Sequence, residues 1–403
     1  MNLNRDTKTL KADIVKAGGK EHSDYGGSVA DKWMNCPGYT AAVVDIPPQV
    51  ESIHMAGGTA QHALNEAVMN GSIIDISTMI DRPWLNVSAE FKHHLYIDEN
   101  LDCARVWVDE IFQRFDPTDG WNLMIESTVV MSSIHPTDIY GSADLIAINP
   151  AQKHFAVVDY KHGAGKIVDI DTPQIPFYGV SAADTFRIPA DWTFTGGVIQ
   201  PRVNDGIKFK QFPEHSMQEW RGIFRHAHTR SKEVDAPRLA GEHCNWCRAA
   251  PTCKALADQR RMSIRKEFSG GVLPGNLTPE ERGRILDILP MVESWISDFQ
   301  EGSLQLAIKG DAPNGYILSP GRRGARAWSA DETAIVAVVG EEMAYTRKIV
   351  SPAQAEKAMG KDAFDEKLSA MVTQPEGKPC LKIDNGENQA FDRIAQARAD
   401  FTI

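Results

Sequence analysis

Two carboxylates and a lysine are the residues of this 403-residue chain whose types and spacing most directly suggest chemistry. Asp144 lies in one apolar segment typical of a β-strand, and Asp159 and Lys161 lie in the next. Because side chains alternate across a strand, Asp159 and Lys161 share a face while Tyr160 points away. Carboxylates from neighbouring strands can hold Mg²⁺ or Mn²⁺, and an ammonium group beside them can position a water or offset charge on a phosphate. The pattern indicates metal-dependent phosphodiester hydrolysis; the plainer alternative is a segment that simply ends a strand at the surface.

The segments that must position these side chains alternate between strand and helix patterns. A short β-branched segment that ends at glycine, HFAVVDYKHG, predicts a buried strand. The segment after it has prolines near its start, which is typical of a helix N-terminus. Strands are predicted at 122–133, 139–148, 154–163 and 192–203, and helices at 59–69, 172–184 and 217–232.

Composition excludes several classes of protein. Apolar residues make up 42% of the chain and charged residues 24%, so it is neither mostly disordered nor collagenous. Its apolar runs are far shorter than the roughly 20 residues that span a bilayer. The N-terminus lacks the apolar core of a secretory signal, so we expect a cytoplasmic location and no membrane partner. With 43 basic and 54 acidic residues the formal net charge is −11, which mildly disfavours a protein that coats nucleic acid.

Six cysteines are too few for a disulfide framework and indicate free thiols or metal ligands in a reducing compartment. Cys244, Cys247 and Cys253 form a C-x₂-C-x₅-C cluster, and three thiolates need a fourth partner. Four thiolates suit either tetrahedral zinc or an iron–sulfur cluster, and spacing alone does not separate the two. The alternative is a set of unrelated thiols. Cys103 and Cys380 have no such spacing and are expected to be ordinary free cysteines.

Gly141, Asp144, Asp159 and Lys161 together resemble the core motif of the PD-(D/E)XK nuclease superfamily. That superfamily carries Gly-x-x-Asp on its second core strand and Asp-x-Lys on its third; the proline before the first acid is absent here. The resemblance implies an α/β fold with a restriction-endonuclease-like core, a central mixed sheet flanked by helices. It also implies that Asp144, Asp159 and the Tyr160 carbonyl hold the metal while Lys161 positions the attacking water.

Further motifs resemble those of the RecB-like exonuclease branch of that superfamily. A G-x-x-x-H motif ends at His62 and implies an additional metal ligand, since imidazole suits Mn²⁺. Gln174 and Tyr178 match a Q-x-x-x-Y motif, which implies a pair on one helix face that contacts DNA and shapes the site. Glu126 matches a glutamate that binds the metal or orients a water. Without the resemblance, these would be a surface histidine, a tyrosine packed on the sheet and an exposed acid.

The segment around Cys36 resembles the N-terminal cysteine segment of iron–sulfur nucleases in the AddB and CRISPR-associated RecB-like groups. Those proteins use one N-terminal and three C-terminal cysteines to bind a 4Fe–4S cluster. The resemblance therefore implies that such a cluster closes the two ends of the nuclease domain and contributes folding free energy. Structural Zn²⁺ is the alternative. The implied ligands are Cys36, Cys244, Cys247 and Cys253.

The chain is predicted to have three parts: a polar, flexible leader at 1–20, a nuclease domain at 21–267, and an accessory domain at 277–403. A linker with glycine and proline separates the last two, and Thr278 to Glu281 has the capping-box pattern that begins a helix. The accessory domain is predicted to be an α+β extension that grips DNA or forms an oligomer interface.

A basic and aromatic loop lies within the predicted accessory domain. Such a loop could bind the DNA backbone or stack a base. The equally weighted alternative is a solvated turn between strands. The residues concerned are Arg322, Arg323, Arg326 and Trp328.

The residues and the resemblance together predict a Mg²⁺- or Mn²⁺-dependent DNA exonuclease. The whole chain resembles phage and prophage RecB-like nucleases, which implies a role in DNA recombination or processing. Single- or double-stranded DNA would be the substrate, a phage recombinase or single-strand-binding protein a partner, and a homo-oligomer is compatible with the sequence. Two alternatives stay open: a catalytically inactive DNA-binding or scaffold protein on a nuclease fold, and a zinc-stapled RNA-processing nuclease.

Overall fold

The computed structural model describes residues 3, 6–20, 23–46, 51–165, 167–213, 215–268, 275, 277–317, 319, 352–368 and 371–372. The chain divides into two compact units, Met1–Ser319 and Pro320–Ile403. Some predicted features lie outside the described residues: most of the α+β extension, Cys380, and the loop of Arg322, Arg323, Arg326 and Trp328.

A five-stranded mixed sheet forms the centre of the first unit. The strands follow chain order across the sheet, and neighbours are antiparallel except β3 and β4, which are parallel. The predicted α/β architecture, a central mixed sheet flanked by helices, is confirmed. The strands are β1 (Asn122–Val130), β2 (Tyr140–Asn149), β3 (His154–Tyr160), β4 (Thr193–Ile199) and β5 (Ile207–Phe212).

Helices of the first unit cover this sheet and supply the crossover between its parallel strands; the last two helices of the following list, α10 and α11, belong to the second unit. The α-helices of the described residues are α1 (Leu10–Lys16), α2 (Ala30–Asn35), α3 (Tyr39–Val43), α4 (Ile53–Met69), α5 (Asp98–Arg114), α6 (Gln174–Phe186), α7 (Ser216–Ser231), α8 (Lys254–Phe268), α9 (Pro279–Ile308), α10 (Pro352–Met359) and α11 (Lys361–Lys367). Parallel neighbours need a long connection, and α6 provides it between β3 and β4. Within the described ranges, no helix is long and apolar enough to cross a membrane.

Both faces of the sheet are covered, which explains why β2 and β3 are apolar along most of their length. Alternate residues of these strands point into two separate cores. Val157 lies in the core that contains Phe177 of α6, whereas Val158 lies in the core that contains Trp107 of α5. The ends of β2 and β3 are thereby held rigidly between two helical layers.

Helix α4 begins at Ile53, earlier than the predicted start at residue 59. Ser52 caps it, since its hydroxyl accepts a hydrogen bond from the Met55 backbone N–H at 3.3 Å. Gly57 and Gly58 each lower helix propensity by about 1 kcal/mol relative to alanine. These glycines obscure the first turns in the sequence pattern, although packing makes them helical.

Helix α5 and the edge strand β5 are additional to the elements predicted from sequence. Helix α5 does have a signal in the sequence, since Asp98 and Glu99 in its first turn and Arg114 in its last turn complement the helix dipole. Strand β5 is only partly buried, so its apolar residues give little pattern.

The segment predicted as a flexible leader packs on the sheet in its described part. Leu10 and Ile14 of α1 are buried against Val130 and Tyr140. Their i, i+4 spacing places both on one helix face, which is the signal for this contact. The packing differs from the loosely held leader that the polar composition predicts.

Helix α9 belongs to the first unit rather than to the predicted accessory domain. Arg260 of α8 is buried, and its guanidinium donates a hydrogen bond to Asp298 of α9 at 2.7 Å. The helix begins at the predicted capping box: the Thr278 hydroxyl accepts from the Glu281 N–H at 3.3 Å, and the Glu281 carboxylate accepts from the Thr278 N–H at 2.8 Å. The start of the helix is confirmed, while the boundary between units lies at Ser319, beyond the helix.

Candidate metal centre

Three adjacent strands and one helix bring the candidate metal ligands together. Glu126 lies in β1, Asp144 in β2 and Asp159 near the end of β3, and His62 projects from α4. The two antiparallel pairings align these strands, so the sheet register fixes the three acids relative to one another.

Glu126 lies directly across from Asp144 in the antiparallel register of β1 and β2, although the two residues do not form a ladder pair. The Glu126 backbone has φ 45°. This left-handed conformation is uncommon for a residue other than glycine and costs on the order of 1–3 kcal/mol. Like charges opposite each other also destabilise a sheet. The sheet is thus strained where its carboxylates meet, which motivates a functional role for this position.

His62 joins the two opposed carboxylates. Its Nδ1 atom lies 3.2 Å from Oε1 of Glu126 and 3.5 Å from Oδ1 of Asp144. The other oxygen of Asp144 accepts a hydrogen bond from the Tyr160 backbone N–H at 2.6 Å. In the part of the chain that the structure describes, this is the one group of three such side chains whose ligand atoms all lie within 4.8 Å of one another. The group could hold a metal ion.

Asp159, Lys161 and Gln174 form a closed ring of contacts beside this group. The Lys161 ammonium lies 2.9 Å from Oδ2 of Asp159 and donates to Oε1 of Gln174 at 3.3 Å. The Gln174 amide in turn donates to Oδ1 of Asp159 at 2.7 Å. The lysine side chain is 30% exposed, whereas the Asp159 side chain is only 6% exposed. The ring therefore fixes an ammonium that solvent can reach.

The pKa shifts reflect a concentration of negative charge. Burial raises the pKa of the Asp144 carboxyl, and it raises the pKa of Asp159 to about 6. Burial alone would lower the pKa of His62, but the Asp144 and Glu126 carboxylates outweigh it and raise that pKa to about 9. The Asp159 and Asp144 carboxylates likewise raise the pKa of Lys161 against the effect of burial. The field that keeps these two side chains protonated also attracts a divalent cation.

Tyr178 packs over Gly141, the glycine of the Gly-x-x-Asp motif. A Cβ atom at position 141 would lie 3.2 Å from a ring carbon of Tyr178 and 3.4 Å from its hydroxyl oxygen. A larger residue would therefore displace the ring. Burial, followed by the Asp144 charge, raises the pKa of Tyr178. Its hydroxyl remains protonated near the acids and can donate a hydrogen bond.

Tyr160 and His162 flank the candidate lysine on the other side of β3. The Tyr160 ring packs edge-on against Trp107 at 5.6 Å, and its hydroxyl lies 3.2 Å from Nδ1 of His162. Burial, aided by the charge of Arg202, lowers the pKa of His162 to about 4, so this ring is neutral. The sequence analysis did not single out His162; its position directly after the Asp-Tyr-Lys segment is the available signal. The Tyr160 carbonyl as a metal ligand stays a prediction.

The four cysteines of the predicted cluster line one cavity: Cys36, Cys244, Cys247 and Cys253. The Leu239 N–H donates to the sulfur of Cys36 at 3.4 Å, and the Gly241 N–H donates to the sulfur of Cys244 at 3.5 Å. Burial raises the pKa of the Cys36 and Cys247 thiols. No three cysteine sulfur atoms among the described residues lie within 4.8 Å of one another, whereas a tetrahedral zinc site places them about 3.8 Å apart. The four thiols are near one another but are not packed as ligands of a single ion.

The sequence profile of one family, described as "Protein of unknown function (DUF2800)", matches residues 22–388. The chain is a member of the DUF2800 family. Among solved structures, it resembles a "Putative exonuclease" from Eubacterium rectale at 12% sequence identity and a TM-score of 0.31, with 60% of this chain and 91% of that chain covered. A likeness this weak carries no argument about the DUF2800 chain.

The site of this DUF2800 chain combines hard ligands with a fixed positive charge. Carboxylate oxygens and an imidazole nitrogen are ligands that divalent cations accept. The ammonium of Lys161 lies beside the buried carboxylate of Asp159. Such an arrangement can bind a phosphate ester and stabilise the charge that develops when it is attacked.

Proposed function

We propose that this protein is a Mg²⁺- or Mn²⁺-dependent nuclease that hydrolyses DNA phosphodiester bonds from strand ends. One observation carries the proposal: the ligand atoms of His62, Glu126 and Asp144 lie within 4.8 Å of one another, beside the Asp159–Lys161 pair. Phosphodiester hydrolysis requires both parts, ligands for a cation and a positive charge for the phosphate. The order of these residues along the chain also matches the PD-(D/E)XK motif.

The residues present fit a divalent cation. His62, Glu126 and Asp144 direct one nitrogen and two oxygen atoms toward one another, and this donor set suits Mg²⁺ or Mn²⁺ rather than a soft metal. Asp159 and the Tyr160 carbonyl would complete the set. When bound, such a cation supplies a Lewis acid for the phosphate and lowers the pKa of a water.

Lys161 would orient the attacking water and offset charge on the scissile phosphate. Asp159 and Gln174 hold its ammonium from two sides, at 2.9 and 3.3 Å. An ammonium has three N–H donors, so a third can face a water or a phosphate oxygen. Gln174 also donates to Asp159 and so fixes the carboxylate that binds the lysine. Tyr178, buried over Gly141, would shape the site in which the strand is placed.

Action at strand ends, DNA as the substrate and a role in phage-type recombination or processing are finer parts of the proposal. They are supported by the G-x-x-x-H and Q-x-x-x-Y motifs, which end at His62 and Tyr178 and resemble those of RecB-like exonucleases. A recombinase or single-strand-binding partner rests on the same resemblance.

The four cysteines are proposed to bind a 4Fe–4S cluster. They line one cavity, and the sulfur atoms of Cys36 and Cys244 accept backbone N–H bonds, a contact that tunes iron–sulfur ligands. No three of their sulfur atoms lie within 4.8 Å of one another in the described part of the chain, so the thiols do not form a preassembled tetrahedral zinc site. Raised thiol pKa values do not prevent binding, because a coordinating thiol is deprotonated by the metal.

Incubation of the purified protein with end-labelled linear DNA and Mn²⁺ tests the nuclease proposal. We expect progressive shortening that EDTA abolishes and that Lys161→Ala removes. Lys153→Ala is the matched control, since Lys153 immediately precedes β3, is 66% exposed and pairs with Asp191. Covalently closed circular DNA should stay intact.

Each alternative outcome has a distinct meaning. Undiminished cleavage by Lys161→Ala would contradict the assigned role of this lysine. A mobility shift without cleavage would indicate a DNA-binding protein on a nuclease fold. Cleavage of RNA alone would indicate an RNA-processing nuclease, and nicking of closed circles would indicate an endonuclease.

A further inference from the structure

Three aromatic side chains form a row on the segment between α4 and α5. The rings of Trp84 and His94 stack with centroids 4.9 Å apart, and the ring of His93 lies 4.2 Å from that of His94. The Trp84 backbone N–H donates to the His94 carbonyl at 2.9 Å, which holds the two residues side by side. His93 is exposed, and the other two are half-buried. This aromatic row therefore offers the exposed ring of His93 and part of the other two rings to solvent, while Trp84 also packs against the core that contains Leu64 and Tyr96.

The aromatic row is tied to the helix that carries a candidate metal ligand. Tyr96 is fully buried, and its hydroxyl donates to the Ala60 carbonyl of α4 at 2.7 Å. The same hydroxyl accepts from the backbone N–H of Leu85, the residue after Trp84, at 3.1 Å. Ala60 lies two residues before His62. These bonds fix the row at a set position relative to the metal centre.

Two adjacent glycines of α4 precede His62, and the first lies beside the Trp84 ring of the aromatic row. A Cβ atom at Gly57 would lie 3.4 Å from the Trp84 ring and 4.0 Å from the His162 ring, so both rings flank this glycine. A Cβ atom at Gly58 would meet nothing within 4 Å. Gly58 lies one turn before His62 on the same helix face. Gly57 is thus buried against the two rings, whereas Gly58 leaves the helix surface one turn before His62 without a side chain.

The segment that carries the aromatic row has no excess of positive charge, so its distinctive feature is its exposed ring surface. Arg82 and Lys92 are exposed, but so are Asp81 and Glu90. Flat rings beside a site for phosphate esters match the flat faces of nucleobases, and one base stacked on an aromatic side chain contributes about 1–3 kcal/mol. A base can stack in this way only when it is not already stacked in a duplex.

We propose that the aromatic row is a stacking subsite for an unpaired nucleobase of the strand whose phosphate lies at the metal centre. This inference rests on the proposed nuclease function and names its substrate: single-stranded DNA or a frayed duplex end. The row would hold a base a fixed number of nucleotides from the scissile bond.

The test measures binding of a fluorescein-labelled single-stranded oligonucleotide by anisotropy, with Mn²⁺ and the cleavage-deficient Lys161→Ala protein. Adding Trp84→Ala should raise Kd at least about fivefold, the equivalent of 1 kcal/mol, while Trp84→Phe should retain most of the affinity. Trp295→Ala is the control, since Trp295 is 38% exposed on α9 and also neighbours an aromatic ring, Phe299. When an abasic site is moved along the oligonucleotide, one position should raise Kd. In the Trp84→Ala protein, an abasic site at that position should no longer raise Kd.

The abasic scan depends on the DNA rather than on a substitution, so it remains informative if Trp84→Ala does not fold. In that case His93→Ala is used instead of Trp84→Ala, because the His93 ring is exposed and its removal opens no core. This substitution should reduce the loss of affinity that the abasic site causes at the same position. If the protein binds and cleaves DNA but an abasic site has the same effect at every position, the stacking subsite is overturned and the nuclease proposal stands. Absence of both binding and cleavage would overturn both proposals.

Discussion

The candidate metal centre and the cysteine cavity are both sets of ligands, but the chain assembles them in different ways. The metal centre draws its acids from neighbouring strands, and His62 contacts two of them directly. The cysteines come from the end of α2 and from short turns more than two hundred residues later, and their described hydrogen bonds are to the backbone. Sheet register aligns the acids of the first set and α4 adds His62, whereas the second set requires the two ends of the domain to meet.

The two sites therefore make contributions of opposite sign to the free energy of folding. The metal centre crowds buried carboxylates and strains the backbone of Glu126, so it is formed at a cost that the rest of the sheet offsets. A ligated cysteine set would instead contribute folding free energy. Substitutions in the first site should therefore remove activity without destabilising the fold, and substitutions in the second should destabilise the fold.

Asp144→Asn should show the largest effect on activity. The amide can still accept the Tyr160 N–H but carries no charge for a cation, so the rate of DNA cleavage should fall by about 10²–10³ or more. Because burial raises the pKa of Asp144, loss of its charge should leave the melting temperature of the metal-free protein unchanged or higher. Asp191→Asn, at an exposed acid, should alter neither quantity. A melting temperature several degrees lower would contradict the strained, preassembled centre.

Cys247→Ser should reverse that pattern. Structural metal sites contribute on the order of 10 kcal/mol, so loss of one ligand should lower the free energy of unfolding by at least about 3 kcal/mol and abolish bound iron. Iron and sulfide content after anaerobic purification, together with visible absorbance, measures the cluster. Cys103→Ala is the control, since Cys103 is a buried cysteine outside the cavity. Zinc in place of iron, or unchanged iron in Cys247→Ser, would contradict the cluster assignment.

His62→Ala should weaken metal binding more than it weakens the fold. Loss of a ligating or orienting group typically lowers metal affinity about 10- to 100-fold. Calorimetric titration with Mn²⁺ measures the change, and His54→Ala provides the comparison because His54 is exposed on the same helix. Equal Mn²⁺ affinity in the two variants would remove His62 from the ligand set.

Gly58→Leu should have the smallest effect. It should distinguish access of DNA to the metal centre from formation of the metal site itself. No atom obstructs a Cβ at Gly58 or at Gly222 of α7, so each substitution should stabilise its helix by up to about 1 kcal/mol. Only the leucine at position 58 would lie beside the metal centre, where it should slow cleavage of DNA severalfold without changing Mn²⁺ affinity. Equal cleavage rates for the Gly58→Leu and Gly222→Leu proteins would show that the strand does not pass over this face of α4.

Much of the centre of the fold could be predicted from sequence because β2 and β3 are apolar along most of their length and β3 is short and β-branched. Asp144 and Asp159 followed directly, since their strands are neighbours in the chain and in the sheet. The left-handed backbone of Glu126 could not be predicted, because glutamate has no local preference for this conformation and the strand register that places it across from Asp144 is not visible in the sequence.

Other features had a weak or irregular local pattern. Gly57 and Gly58 obscured the start of α4, and the acidic first turn of α5 was not recognised as a helix signal. The aromatic row gave no periodic pattern, since Trp84 and His94 meet only through the pairing of an irregular segment.

The central claim is that His62, Glu126, Asp144 and Asp159 surround one divalent cation, and crystals soaked in Mn²⁺ test it most directly. Anomalous scattering should show a single strong peak within about 2.0–2.5 Å of oxygen atoms from these acids and of a His62 nitrogen. The account is contradicted if no peak appears there at a Mn²⁺ concentration that supports DNA cleavage, or if the ion binds only elsewhere on the protein.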